Sequence, residues 1–197
     1  MPYGIVLAGG QARRMGGGDK GLLPYRGGTV LDAVVRRLRP HCAALILSAN
    51  GDPARFAALG LPVVPDHPAD AGKGPLAGIL AGLDAVAALA PTCRAIVTAP
   101  TDTPLLPPDL VPRLLEQQRA SGQAVCVARS AGRNHPTVAL WSLDTRQTLR
   151  ALLREAGTRR LMAAQEALGC CTVEWLPADV DPFHNVNTPD DLAALPC

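Results

Sequence analysis

The feature that most constrains this chain is a regular alternation. Short apolar runs occupy residues 4–8, 43–49, 61–64, 95–99, 124–128, 137–141 and 172–176. Between most of them lie segments of helical period at 29–39, 53–59, 76–89, 108–120, 144–155 and 159–168. The runs read as strands and the periodic segments as helices. Strand followed by helix from the start predicts an α/β protein, a three-layer α/β/α sandwich around a mostly parallel sheet. No linker, repeat or low-complexity tract interrupts the alternation, so residues 1–197 read as a single domain. Only the run at 137–141 lacks a helical segment before it, which predicts a β-rich excursion and an antiparallel edge strand there.

Composition narrows the function classes. The formal net charge is +2 and no Lys/Arg run carries interleaved aromatics, which argues against nucleic acid as a partner. The first apolar stretch is too short for a signal peptide or a membrane span, so a cytoplasmic protein without a membrane partner is expected. Six cysteines stand at 42, 93, 126, 170, 171 and 197 with no C-x-x-C pair, and they read as buried free thiols. Arginine supplies nearly all the positive charge. The only lysines, Lys20 and Lys73, each sit beside glycine, where a compact ammonium would suit an anion better than a planar guanidinium.

In an open α/β sheet ligands bind beyond the carboxyl ends of the strands, so the loops there are where chemistry is sought. The first strand ends in Leu7-Ala8-Gly9-Gly10, followed by Arg13, Arg14, three further glycines, Asp19, Lys20 and Gly21. Glycines let backbone N–H groups approach phosphate oxygens, and the cations offset the remaining charge. Two generic motifs fit poorly. Gly16, Gly18 and Gly21 have G-x-G-x-x-G spacing but stand too far beyond the strand, and neither lysine is followed by Ser or Thr as a P-loop requires.

Two aspartates also end strands. Asp102 lies between Pro100 and Pro104, where a rigid carboxylate can hold Mg²⁺ against triphosphate oxygens; the bland alternative is an Asx-turn or a helix N-cap, for which Asp109 is better placed. Asp66 opens a loop containing Asp70, Gly72, Lys73, Gly74 and Pro75, and can accept hydrogen bonds from guanine or from ribose hydroxyls. Gly74-Pro75 equally suits the start of the helix that follows. Near the C-terminus Thr188 reads as an N-cap and Pro189 as the first helical residue. Capping does not explain Asn185 and Asn187, which alternate onto one side of an extended segment and could complete a metal or phosphate site.

Together, LAGGQARRMGGGDKGLL (7–23), GPLAGI (74–79), DTPLLPPDL (102–110), HPTVALW (135–141), RRLM (159–162) and NVNTPDDL (185–192) resemble the molybdenum cofactor guanylyltransferases, the MobA family, over nearly the whole chain. The resemblance implies a Rossmann-like nucleotidyltransferase fold of the nucleotide-diphospho-sugar transferase type. It implies Mg²⁺-dependent transfer of GMP from GTP to molybdopterin. Leu7, Ala8, Gly9, Gly10 and Lys20 would bind the phosphates, Asp66 the guanosine, and Asp102 the Mg²⁺ with Asn187 as helper. Gly74 belongs to the wall around the nucleoside. The family often has asparagine where this chain has Ser48, with Asn50 two residues on, so both are candidates for that polar contact. His135, Arg159, Arg160 and Asn185 would face molybdopterin. Transient contact with molybdenum-insertion proteins or molybdoenzyme chaperones would accompany such a role, although the sequence offers no clear adaptor surface.

The implied chemistry is in-line attack of the molybdopterin phosphate on the α-phosphorus of GTP, with Arg14, Lys20 and Asp102-bound Mg²⁺ neutralising charge as pyrophosphate departs. The alternatives are a CTP-dependent molybdopterin or sugar/polyol-phosphate nucleotidyltransferase, and a nucleotide-binding module without catalysis.

Overall fold

The computed structural model describes residues 1–8, 19–176, 179–193 and 195. Its strands are β1 (Tyr3–Leu7), β2 (Pro24–Tyr25), β3 (Gly28–Thr29), β4 (Leu45–Ser48), β5 (Val63–Val64), β6 (Ala95–Pro100), β7 (Val125–Ser130), β8 (Arg133–Ser142) and β9 (Cys170–Trp175). Its α-helices are α1 (Val30–Leu38), α2 (Pro75–Leu89), α3 (Leu110–Ser121), α4 (Arg146–Arg154), α5 (Leu161–Leu168) and α6 (Pro189–Ala193). Among the described residues no helix is long and apolar enough to cross a membrane.

Seven strands form one sheet in the order β5-β4-β1-β6-β8-β7-β9, and β2 pairs with β3 in a separate hairpin. All contacts in the large sheet are parallel except those of β8, which runs against β6 and β7. The antiparallel strand is therefore as expected, but it lies inside the sheet and not at an edge. A β-turn whose Ala131 and Gly132 both have positive φ returns the chain directly from β7 to β8, and β8 then slots between β7 and β6. The segment 53–59 also differs from expectation: it is a 3₁₀ helix, begun by Asp52 and Pro53 and stopped by Gly60 in the left-handed region.

Alternate residues of each strand feed two cores, one on each face of the sheet. Val6, Leu45, Leu47, Val97, Cys126 and Leu140 pack with α1 and α3. Ile5, Ile46, Ile96, Val127 and Trp141 pack with α2, α4 and α5. That is the three-layer arrangement the alternation predicts. Helix α1 begins with a reciprocal capping box between Thr29 and Asp32. At the head of α3, Asp109 occupies the cap position without capping. Its carboxylate accepts the indole N–H of Trp175 at 2.9 Å instead.

Two glycines bring α2 close to the sheet. A Cβ on Gly78 would stand 2.6 Å from Ser48 Oγ, and one on Gly82 would stand 2.9 Å from Ile5 Cγ1. Any larger residue would push the helix outward. The cysteines are less uniformly buried than expected. Among the described residues Cys42 and Cys126 are buried, Cys93, Cys170 and Cys171 are half-buried, and these five are free, while Cys197 lies outside the described residues. Burial pushes the Cys42 thiol up to about 12, so it is inert.

Candidate active site

Because every strand but β8 runs the same way, the carboxyl ends of β5, β4, β1, β6, β7 and β9 share one edge of the sheet with the start of β8. A cleft of about 460 Å³ opens at that edge, lined by Leu7, Lys20, Ser48, Asn50, Asp66, Gly72, Gly74, Pro75, Gly78, Pro100, Thr101, Asp102 and Thr137. A larger, open groove of about 780 Å³ beside Met1, Pro40 and Val111 shares none of these residues.

One wall of the cleft is built on the residues that follow β4 and β5. The Asn50 side-chain amide donates to Asp66 Oδ2 at 2.7 Å, and its amide oxygen accepts the Asp66 backbone N–H at 2.9 Å. This double link fixes the Asp66 carboxylate and leaves lone pairs for a ligand. Ser48 is buried against Gly78, so of the two polar candidates after the second strand it is Asn50 that orients Asp66. Arg55 donates to the Asn50 carbonyl at 2.6 Å and pairs with Asp19 at 2.7 Å, which ties this wall to the residue beside Lys20.

Below it, Gly72 and Gly74 line the cleft with φ of 76° and 73°, conformations that favour glycine. Gly74 precedes Pro75 at the start of α2, so it both shapes the wall and starts the helix. The loop is anchored by Asp70, which is 1 % exposed and receives three hydrogen bonds from Arg154 of 2.7 to 3.2 Å. Lys73 completes the anchor at 3.2 Å. The Arg154 hydrogen bonds, aided by Lys73, hold the Asp70 carboxyl below the usual range despite burial. The anion that the Lys73 ammonium meets beside its glycines is thus the internal Asp70 carboxylate.

A second polar cluster consists of Lys20, Asp102 and Asn187. The Lys20 ammonium donates to Asn187 Oδ1 at 2.6 Å, joining residues far apart in the chain. The amide oxygen expected to help a metal is thus engaged by a cation here. Asp102 follows β6, and its carbonyl accepts the Val186 N–H at 2.8 Å. Its Oδ1 is buried with no hydrogen-bond partner, and burial raises the carboxyl above its ordinary value although Lys20 draws it down. A buried carboxylate oxygen without a partner is costly, and a hard divalent cation is a fitting group to satisfy it.

Of the other expected site residues, Leu7 lines the cleft and Ala8 is buried beside it, its N–H donating to the Ser48 carbonyl at 2.8 Å. Gly9, Gly10 and Arg14 lie outside the described residues. Asn185 and Asn187 are exposed on either side of the fully buried Val186, the alternation read from the sequence. Arg159 and Arg160 are exposed ahead of α5 and do not line the cleft. His135 stands two residues before Thr137 on β8, with its Nε2 2.7 Å from Ser130 Oγ. Sequence reasoning missed Thr137, Ser130 and Asp181. Thr137 lines the cleft beside a shift of the β7–β8 register between Val127 and Ala128, and no residue pattern announces that bulge. Its carbonyl accepts from Thr98 at 2.9 Å, and that of Pro136 from the buried Gln165 at 2.8 Å, so the bulge is fully supported.

The cleft thus brings an oriented aspartate and a cation–carboxylate cluster together at the carboxyl edge of a mostly parallel sheet. Residues 4–168 match the MobA-like NTP transferase domain. The chain is 52 % identical over 193 residues to the molybdenum cofactor guanylyltransferase of Mesorhizobium japonicum, covering 96 % of this chain and 92 % of that one. It is 50 % identical over 190 residues to the enzyme of the same name from Rhodopseudomonas palustris, covering 96 % and 90 %. The crystal structure of molybdopterin-guanine dinucleotide biosynthesis protein A from Archaeoglobus fulgidus shares the fold, with a TM-score of 0.72 at 23 % identity over 97 % and 95 % of the two chains. The chain belongs to the MobA-like NTP transferases, and among them to the molybdenum cofactor guanylyltransferases.

Proposed function

We propose that this chain transfers GMP from GTP to the phosphate of molybdopterin, forming molybdopterin guanine dinucleotide and pyrophosphate. One observation carries the reading. In a member of this family, a single cleft joins the Asn50–Asp66 pair to Lys20, Asn187 and the unpartnered carboxylate oxygen of Asp102.

Asp66, oriented by Asn50, accepts hydrogen bonds from the guanosine. Gly72 and Gly74 let the nucleoside lie against backbone. Lys20, with Arg14 from the glycine-rich loop, neutralises the triphosphate and the departing pyrophosphate. The acceptor phosphate oxygen forms the new bond to the α-phosphorus as the bond to the bridging oxygen of pyrophosphate breaks. No covalent enzyme intermediate is needed. Mg²⁺ held by Asp102 would supply further neutralisation of the phosphate oxygens. Asn187 holds the Lys20 ammonium at the site and lies close enough to assist there. Free thiols in the fold suit the reducing cytoplasm as the place of reaction.

The choice of GTP over CTP is tested by thermal shift with each nucleotide and Mg²⁺. Greater stabilisation by GTP is expected, and preferential stabilisation by CTP would transfer the same chemistry to a cytidylyl donor.

A further inference from the structure

The nucleotide machinery occupies the half of the sheet edge formed by β5, β4, β1 and β6. The other half, at the start of β8 and the end of β7, carries a separate buried polar chain. Ser130, 0 % exposed, donates to both carboxylate oxygens of Asp181 at 2.8 and 2.9 Å, and lies 2.7 Å from His135 Nε2. Asp181 Oδ1 also accepts the Phe183 backbone N–H at 2.8 Å, and the Phe183 ring lies 4.6 Å from that of His135.

Donor and acceptor logic fixes the protons in this chain. A carboxylate only accepts, so the single hydroxyl proton of Ser130 is committed to Asp181. The hydroxyl oxygen can then only accept from His135, which places the imidazole proton on Nε2. Burial holds the His135 pKa below its ordinary value, which keeps the ring neutral. The remaining nitrogen, Nδ1, has no partner among the described residues and carries a lone pair.

We infer that Ser130 and Asp181 are positioning residues that hold His135 as its Nε2–H tautomer, so that Nδ1 accepts a hydrogen bond from an N–H donor on the acceptor's heterocycle. This rests on the transferase reading above. His135 does not itself line the cleft but stands two residues before the cleft-lining Thr137, with the β7–β8 bulge next to it. Residues 181–187 run from this cluster back to the phosphate end, where Val186 bonds to Asp102 and Asn187 to Lys20. An acceptor held at His135 would therefore present its phosphate across the cleft towards the nucleotide. The fused ring of a pterin bears ring and exocyclic N–H groups, the chemistry that Nδ1 selects.

The test uses two variants. Asp181→Asn keeps an oxygen for the Phe183 N–H but turns an amide donor towards Ser130, which sends the hydroxyl proton to His135 and moves the ring proton to Nδ1. Ser130→Ala removes the relay altogether. Nitrogen-15 NMR of the histidine rings is expected to show His135 protonated at Nε2 in the unaltered protein and at Nδ1 in Asp181→Asn. Both variants should raise the KM for molybdopterin about tenfold, with the KM and thermal shift for GTP unchanged. An Nδ1–H or cationic ring in the unaltered protein at neutral pH, or an unchanged molybdopterin KM in both variants, would overturn the inference. Absence of any guanylyl transfer by the unaltered protein would instead refute the underlying function, while the NMR result would still decide the tautomer.

Discussion

The Lys20 ammonium donates to Asn187 Oδ1 at 2.6 Å, so the residue after the glycine-rich loop is held in place by one near the other end of the chain. Lys20 lines the same cleft as Asn50, Asp66 and Asp102, and the main chain of Asp102 is bonded to Val186. The position of Lys20 thus depends on the segment 185–187.

Replacing Lys20 with Ala is expected to lower kcat about 10²- to 10³-fold, the loss typical when one preorganised donor to developing charge is removed. Asn187→Ala should lose less, since the ammonium remains but is no longer positioned. Steady-state kinetics of both variants and of the double variant check this. The double variant should be little worse than Lys20→Ala alone, and full additivity would mean that the two residues act independently.

Asp102→Asn should abolish most guanylyl transfer while the protein remains folded. Burial raises the carboxyl above its ordinary value, so the ionised form opposes folding and the neutral isostere removes that cost. Melting in metal-free buffer at neutral pH is expected to show Asp102→Asn at least as stable as the unaltered protein. A clearly lower Tm would show instead that the carboxylate supports the fold.

Gly78→Ala places a methyl group 2.6 Å from Ser48 Oγ, at the point where α2 closes one wall of the cleft. A loss of about 1–3 kcal/mol and weaker GTP binding are expected. Adding Ser48→Ala removes the clashing atom and leaves the Ser48 Cβ position at 3.6 Å, an ordinary contact. Denaturant unfolding should show the pair regaining most of the loss, and no recovery would place the strain elsewhere.

The pH dependence of stability carries the sign of His135. Burial lowers its pKa from the ordinary 6.5, so above 6.5 the ring is neutral in both folded and unfolded chains. As pH falls below 6.5 the unfolded chain binds the proton first, and stability is lost down through the lowered folded value. His135→Gln should flatten that part of the urea-unfolding profile. An identical acid limb in the variant would assign the loss to other groups.

Much of this was legible in the sequence because its signals are local. The first strand, the Gly74-Pro75 helix start and the Thr188 cap follow from patterns a few residues long, and Asp66 and Asp102 stand just past strand ends at the cleft. What was not legible depends on distant partners. The place of β8 inside the sheet is decided by which strands it pairs with, and its alternation of residues would suit an edge equally well. The glycines beside Lys73 suggested an anion without saying which, and Asp70 becomes its buried partner only once Arg154 arrives from α4. The Ser130–His135–Asp181 chain likewise joins β7, β8 and the C-terminal segment, and nothing local marks Ser130 or Asp181.

The central claim is tested most directly by incubating the protein with Mg²⁺, molybdopterin and an equimolar mixture of GTP and CTP, then identifying the pterin product by mass. The expected product is molybdopterin guanine dinucleotide with one pyrophosphate released per product, and almost none from Asp102→Asn. A cytosine dinucleotide product, or GTP binding without any transfer, would contradict it.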